Sequence, residues 1–405
     1  MGSLVPLEQV QTEILAAVPS LPIAEVALAD ALGLVLAVDI VATEPVPPFA
    51  NTAMDGYAVR AADTARATVT DPVVLRVVDE LPAGRASAVA VGAGEAIRIM
   101  TGAPVPEGSD AIVMVERTAI VEPDSVAISV PAVLGDHVRA AGGDVATGDQ
   151  VFTAGTELRA AHLGVLASVD IGRIKVFRAP RVGVLTTGDE LVATGPLAPG
   201  QIRDSNRPML LALVRESGFV PVDLGQVADD EDHIVATLRA ALDDCDAILT
   251  SGGVSVGDYD FVKAALSQLG SLEWRQVAIK PAKPLAFGVI DGVPIFGLPG
   301  NPVSSLVSYE LFARPALRQM AHHPEINRPT TRAVAEHNFG RRPDGKVHFV
   351  RVVARLTDTG YAVSSSGGQA SNALAATARA NALAVIPDGN GVEAGAALTV
   401  VLLTA

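Results

Sequence analysis

Leu249-Thr-Ser-Gly-Gly-Val-Ser-Val-Gly-Asp-Tyr-Asp-Phe-Val-Lys263 leaves an apolar run, passes through glycines 252, 253 and 257 and enters a stretch with helical spacing. A buried strand, a tight turn and a helix start read that way. The same alternation continues on both sides. Strands are predicted at 181–186, 219–224, 246–250, 285–290 and 293–297, with helices near 207–217, 231–242, 258–269 and 302–318. Strands alternating with helices build a doubly wound, mainly parallel sheet. Such sheets bind ligands beyond the C-terminal strand ends, in the turns that lead into the helices. Two motifs occupy those turns: Thr186-Thr187-Gly188-Asp189-Glu190 and Ser251–Asp260.

Before this α/β region, residues 6–18 have helical spacing with Pro6 in the first turn, and 34–42 form a continuous apolar run of strand character. Glu44–Asn51 carries three prolines and marks a boundary. From there to about residue 144, short runs at 73–78, 96–100, 111–115 and 125–130 predict a small β module. A helix is predicted at 156–168 with Thr156 as its N-cap, followed by a strand at 170–178. After Pro324 and Pro329 the runs 331–336, 347–356, 383–386 and 397–403 predict a small β-barrel or sandwich.

Composition narrows the function. The chain has 405 residues, room for two to four domains, and is 49% hydrophobic without a run that could span a bilayer. The N-terminus lacks the basic and apolar regions of a secretory signal. Pro6 occupies the position where a myristoylation site needs Ser or Thr. A single cysteine, Cys245, excludes an internal disulfide framework and a cysteine-based zinc site, and a cytoplasmic location is expected. The net charge of −15 argues against general attraction to nucleic acid, so any bound anion needs local positive charge. Lysine is scarce: Lys175, Lys263, Lys280, Lys283 and Lys346 are all there are, against 25 arginines. Three of the five fall between 263 and 283, which suits a need for compact point charges.

Each motif has a plain reading beside the functional one. In Ser251–Lys263, Gly252, Gly253 and Gly257 allow close backbone approach, and the helix start offers free N–H groups to an anion. Ser251 and Ser255 add hydroxyls, while Asp258 and Asp260 are candidates for holding Mg²⁺. The alternative is a turn whose acids only complement a helix dipole. In Lys280-Pro281-Ala282-Lys283-Pro284 the prolines are expected to hold an extended segment that presents two cations to an oxyanion. Gly297-Leu298-Pro299-Gly300-Asn301-Pro302-Val303-Ser304-Ser305 reads first as a helix start, with Asn301 as cap, Pro302 in the first turn and Ser304 near the N-terminus. Asp55 in Asn51–Val59 and Thr101 in Arg98–Pro104 would not be singled out by physical reasoning alone. The adjacent His322 and His323 read as surface residues, and the histidines lack metal-ligand spacing.

Taken in order, Asn51–Val59, Arg98–Pro106, Arg139–Asp144, Val182–Leu191, Asp204–Leu210, Ser251–Lys263, Ile279–Pro284 and Gly297–Ser304 resemble the molybdopterin molybdenumtransferases, or molybdenum insertases, which include the C-terminal domain of gephyrin. The resemblance implies insertion of molybdate into adenylylated molybdopterin with release of AMP, dependent on a divalent metal such as Mg²⁺. It implies a multi-domain α/β and β architecture: a segmented N-terminal domain (1–43 plus 145–178), an inserted β module (44–144), a molybdopterin-binding α/β domain (179–326) and a C-terminal β-barrel-like domain (327–405). It implies a homodimer with the active cleft between subunits, so that Asp55 and Thr101 reach the partner's α/β domain, and contacts with other assembly proteins of the cofactor are possible. Glu190 and Asp260 match acids of the family's site and are the expected metal ligands. Lys280, Lys283, Pro284 and Ser304 match positions that hold ligand or molybdate, and Arg351 and Ser371 resemble molybdate-site residues. Pro299, Asn301 and Pro302 belong to the same ligand-facing segment.

Two rivals stand beside this reading. A molybdopterin adenylyltransferase shares the α/β domain, but typically carries Thr-Gly-Gly-Thr-Gly where this chain has Ser-Gly-Gly-Val-Ser-Val-Gly, and lacks the extra domains. A non-catalytic pterin carrier or scaffold, like gephyrin in receptor clustering, would not need the retained acids and lysines.

Overall fold

The computed structural model describes residues 4–252 and 261–404. Its centre is a six-stranded sheet in the order Val220–Val227, Arg181–Thr187, Ala247–Ser251, Val293–Leu298, Pro284–Ile290, Glu273–Gln276. The first four strands are parallel and the last two antiparallel, so the predicted doubly wound sheet carries an antiparallel edge. The three inner parallel strands are largely buried because both faces are covered, whereas the edge strand Val220–Val227 carries Asp223 and Gln226. One face packs Val184, Leu249, Phe296 and Leu298 against Leu210, Leu306 and Phe312. The other packs Leu185, Ile248 and Ile295 against Ile234, Leu238 and Leu266.

The covering helices follow their sequence signals. Glu231–Asp244 starts at Asp230, whose Oδ1 accepts the His233 amide at 2.7 Å. Pro302 opens Pro302–Ser308, which continues through a π-helical turn at Tyr309–Ala313 into Arg314–Met320. A plain α-helix over 302–318 was expected; the π turn inserts an extra residue into its middle.

The C-terminal region resolves the choice between barrel and sandwich. Strands Val347–Thr357, Gly360–Ser365, Thr330–Ala335, Ala397–Leu402 and Ala382–Ile386 form a closed five-stranded barrel, shut by pairing of 347–357 with 382–386. Ile279–Lys280 pairs with the rim of that barrel, Lys280 opposite His348. This pairing ties the barrel to the α/β sheet and creates the crevice described below.

The β module is a six-stranded sheet of Ala111–Met114, Gly56–Val59, Glu95–Ile99, Val73–Leu81, Ser125–Ile128 and Thr118–Glu122. Gly56 is required there, since a Cβ would sit 2.1 Å from the Val113 carbonyl oxygen. Segments on both sides of the module meet again, with Ile23–Ala27 and Val35–Leu36 pairing with Arg173–Phe177, and Ile40–Val41 with Gln150–Phe152. The apolar run 34–42 is therefore two short strands rather than one.

Two local expectations are corrected. Thr156 does not cap a helix: its hydroxyl donates to Thr153 O, and the helix is Ala160–Ser168, with the Arg159 amide donating to His162 Nδ1. His322 is exposed and stacks on Phe177, but His323 is buried and hydrogen-bonded to Glu157, because it lies past the helix end where the chain turns inward.

Candidate active site

Three strand ends lie side by side at the C-terminal edge of the parallel sheet, at Thr187, Ser251 and Leu298. Ser251 is buried between the other two. Asn206 Nδ2 donates to Ser251 Oγ at 2.9 Å and to Gly300 O at 2.7 Å, so one amide ties the end of the strand Ala247–Ser251 to the turn after Leu298. Ser251 Oγ also lies 3.4 Å from Pro299 O and 3.5 Å from Ser305 Oγ. Sequence reasoning passed over Asn206, and only its place opening the helix Asn206–Glu216 marked it. Gly252 has a φ of +111°, and a Cβ there would lie 2.8 Å from Thr187 O. Gly252→Ala should therefore lower stability by about 1–3 kcal/mol in urea unfolding, as both the left-handed backbone and the contact resist it. An unchanged midpoint would contradict the close approach. Gly253, Ser255, Gly257, Asp258 and Asp260 lie outside the described residues.

A cavity of about 760 Å³ opens between the segment 279–284, the turn after Leu298 and the barrel. Lys280, Lys283, Pro284, Pro299, Asn301 and Ser304 line the α/β side. Arg341, Lys346, His348, Gln369 and Ser371 line the barrel side. Pro302 opens the helix behind Asn301, which makes no side-chain cap hydrogen bond, and Ser304 is buried. The lysine segment is not extended as expected: the Lys280–Pro281 bond is cis and Ala282 has a φ of +70°. The turn still carries both lysines to the same wall. Lys263 stands elsewhere, its Nζ 5.4 Å from the Trp274 ring centre.

The electrostatics of the two walls differ. Arg341 and Lys346 are paired with Asp344, and Arg341 also with Asp388. Against the upward push of burial, hydrogen bonds from His348 and Lys346 hold the Asp344 carboxyl at about 2. Burial pushes His348 below its ordinary value, opposed by its hydrogen bond to Asp344. Lys280 and Lys283 are exposed and make no ion pair among the described residues. Their charge is available to a ligand.

Arg351 stands one layer behind this surface. It is 1% exposed and donates to Gln369 Oε1, Gly368 O, Ala370 O and Thr377 Oγ1. Burial lowers its pKa, yet a guanidinium remains charged. These bonds hold the loop that presents Gln369 and Ser371 to the cavity. The Val303 amide, at the opposite helix start, donates to Ser371 O at 3.1 Å. Arg351→Met should lower stability by about 2–4 kcal/mol, since charged hydrogen bonds are lost and buried carbonyls are left unpaired. Urea unfolding checks this, and a change below 0.5 kcal/mol or so would remove the buttressing role.

A third group is acidic. Asp189 and Glu190 are exposed at the end of Arg181–Thr187, and Asp189 Oδ1 accepts the Asp229 amide at 3.0 Å. Burial raises the Asp229 pKa, and the charges of Asp189 and Glu190 raise it further. Asp229 was not singled out in the sequence, where its position at the end of Val220–Val227 was the available clue. Among the described residues no three His, Cys or carboxylate side chains form a complete metal site.

Asp55 and Thr101 lie together on the β module. Asp55 Oδ1 accepts Thr101 Oγ1 at 2.6 Å and the Thr101 amide at 2.7 Å. The Thr101 hydroxyl bond, then the amide bond, lowers the Asp55 pKa. Neither residue lines the 760 Å³ cavity of its own chain.

Comparison with known proteins agrees with this architecture. Family models for the MoeA N-terminal region (domain I and II), the probable molybdopterin binding domain and the MoeA C-terminal region (domain IV) match residues 5–170, 183–319 and 338–403. The chain is 44% identical over 370 residues, 90% of each chain, to molybdopterin molybdenumtransferase 2 of Mycobacterium tuberculosis. It is 35% identical over 384 residues to molybdopterin molybdenumtransferase of Bacillus subtilis, covering 93% of this chain and 89% of that one. The crystal structure of the molybdopterin biosynthesis moeA protein from Pyrococcus horikoshii OT3 superposes with a TM-score of 0.81 at 30% identity, covering 99% of this chain and 100% of that one. With every region matched in order, the chain belongs to the MoeA family of molybdopterin molybdenumtransferases.

Proposed function

We propose that this protein inserts molybdate into adenylylated molybdopterin and releases AMP, in molybdenum cofactor biosynthesis. The observation that carries the reading is the pair Lys280 and Lys283. They are exposed cations without ion pairs among the described residues, on the wall of a cavity beside the C-terminal ends of a parallel sheet.

The chemistry needs them there. Molybdate is a dianion and the substrate's phosphoanhydride is anionic, so bringing both into one crevice is repulsive. Fixed cations in a partly dehydrated crevice offset that repulsion without reorganising during reaction. Lys280 and Lys283 hold molybdate, with Ser304 and Ser371 donating hydroxyl hydrogen bonds. Gln369 is held in place by Arg351, and Ser251 with Asn206 ties the end of the strand 247–251 to the turn after 298, where the pterin nucleotide would lie. Molybdenum transfer to the dithiolene and loss of AMP are coupled at this point.

The acidic group fits a hard divalent cation. Burial chiefly raises Asp229, and the carboxylates of Asp189 and Glu190 add a repulsion that a bound cation would relieve. Glu190, with Asp260 beyond the described residues, would hold Mg²⁺, which polarises a phosphoanhydride when bound. The active form on this reading is a homodimer, with Asp55 and Thr101 of one subunit completing the cleft of its partner. The reading also divides the chain as 1–43 plus 145–178, 44–144, 179–326 and 327–405, and takes the protein to be cytoplasmic. It is tested by supplying adenylylated molybdopterin and Mg²⁺ with and without molybdate. AMP release that requires molybdate supports it; consumption of ATP in place of AMP release would make the protein an adenylyltransferase instead.

A further inference from the structure

A second cavity, of about 1050 Å³, lies away from the lysines, between the N-terminal helix Leu7–Ala17, the π turn and the barrel. Its wall carries more arginines than carboxylates, and Glu310, Arg314 and Arg318 among them are buried. Glu310 is 4% exposed, and both of its oxygens are taken by Arg328, at 2.9 and 3.1 Å. Glu157 is taken by Arg318 at 2.8 Å and His323 at 3.1 Å. Arg314 is left over. It lines the cavity, is 6% exposed and forms no ion pair among the described residues. Among the described residues its side chain makes one hydrogen bond, from Nη1 to Ile326 O at 3.2 Å, and Nε is buried without a partner.

A buried cation without a counterion is costly, and proteins retain one chiefly where something else supplies the charge. The surroundings sharpen the point. Burial, then the neighbouring charge of Arg328, pushes the Arg314 pKa down to about 10, and the charge of Glu310, already bonded to Arg328, offsets only part of that. Burial also lowers the pKa of His323, which favours its neutral form. The wall thus carries four arginines, 159, 314, 318 and 328, against three glutamates, 157, 310 and 325, and Arg314 is the one that is both buried and without an ion pair among the described residues. The π turn Tyr309–Ala313 immediately precedes Arg314, and its Leu311 carbonyl is satisfied from outside by Gln11 Nε2 at 2.9 Å. Such turns recur at functional sites.

We propose that this cavity is an anion site distinct from the lysine cavity, in which Arg314 binds an oxyanion of the phosphate type. A guanidinium fork with nitrogens unengaged suits that geometry. The cavity is far larger than one phosphate, so either free phosphate or the phosphate group of a small metabolite satisfies the same chemistry.

The test uses the full chain with Lys280→Met and Lys283→Met, which silences the other cationic cavity. Inorganic phosphate, against chloride at equal ionic strength, should raise the thermal unfolding midpoint. Adding Arg314→Met should abolish that rise, with affinity falling about tenfold or more. Without phosphate the Arg314→Met midpoint should be equal or higher, because an uncompensated charge has been removed. An equal phosphate response with and without Arg314 overturns the proposal. So does a midpoint that falls in the absence of anion, which would make Arg314 a structural tie to Ile326. If Arg314→Met does not fold, crystals of the unaltered protein soaked in selenate decide the matter. An anomalous selenium peak at Arg314 supports the site, and its absence overturns it. Glycerol phosphate in place of inorganic phosphate separates the sources: tighter binding identifies an organic phosphate, equal binding the free anion.

Discussion

The Lys280→Met, Lys283→Met double variant is expected to lose about a thousandfold or more in molybdate-dependent AMP release while unfolding at the wild-type urea concentration. Both side chains are exposed on the wall of the 760 Å³ cavity, so their removal leaves no cavity in the core and strands no partner among the described residues. Chemistry should suffer because removing one preorganised electrostatic group from an active site costs about 10²–10³ in rate, and two cations are removed here. The barrel-side cations cannot substitute. Arg341 and Lys346 are already paired with Asp344 and Asp388. Raised molybdate should recover part of the rate, which separates loss of anion binding from loss of fold. A loss below tenfold would place the molybdate elsewhere.

Hybrid dimers give the second large effect. Asp55→Asn and the lysine double variant should each be nearly inactive alone. On the reading that the cleft is shared, Asp55 of one chain works with Lys280 and Lys283 of the other. A hybrid dimer then holds one site with both defects and one with neither. Random reassociation of equal amounts should make half the dimers hybrid and restore about a quarter of wild-type activity. Asp55 is a suitable member of the pair because it is exposed and its carboxylate bonds only to Thr101 among the described residues, so Asn should keep the local fold. Mixtures no more active than the separate variants would mean that each chain builds its site alone.

The parts of the fold legible in the sequence are those where burial makes the pattern one-sided. The strands at 181–187, 247–251 and 293–298 are continuous apolar runs because helices cover both faces of the sheet. Glu273–Gln276 escaped because it is an edge strand with two charged side chains, and Gly56–Val59 because it is short and lies inside a turn-rich motif. In the site, Lys280 and Lys283 were visible because lysine is rare in this chain. Arg341, Lys346, His348 and Gln369 were not, because only closure of the barrel brings them to the same wall. Arg351 carries a family resemblance to a molybdate-site residue, yet its donors are spent on the 368–370 loop and Thr377. That distinction depends on side-chain direction, which sequence spacing does not carry.

The central claim couples metal transfer to loss of the nucleotide in one crevice. A single-turnover reaction of the purified protein with adenylylated molybdopterin, molybdate and Mg²⁺ tests it directly, with AMP quantified beside molybdenum bound to the pterin sulfurs by X-ray absorption. One molybdenum transferred for each AMP released, neither occurring without the other substrate, is the predicted result. AMP released at the same rate without molybdate, or tight pterin binding with neither product, would contradict the account.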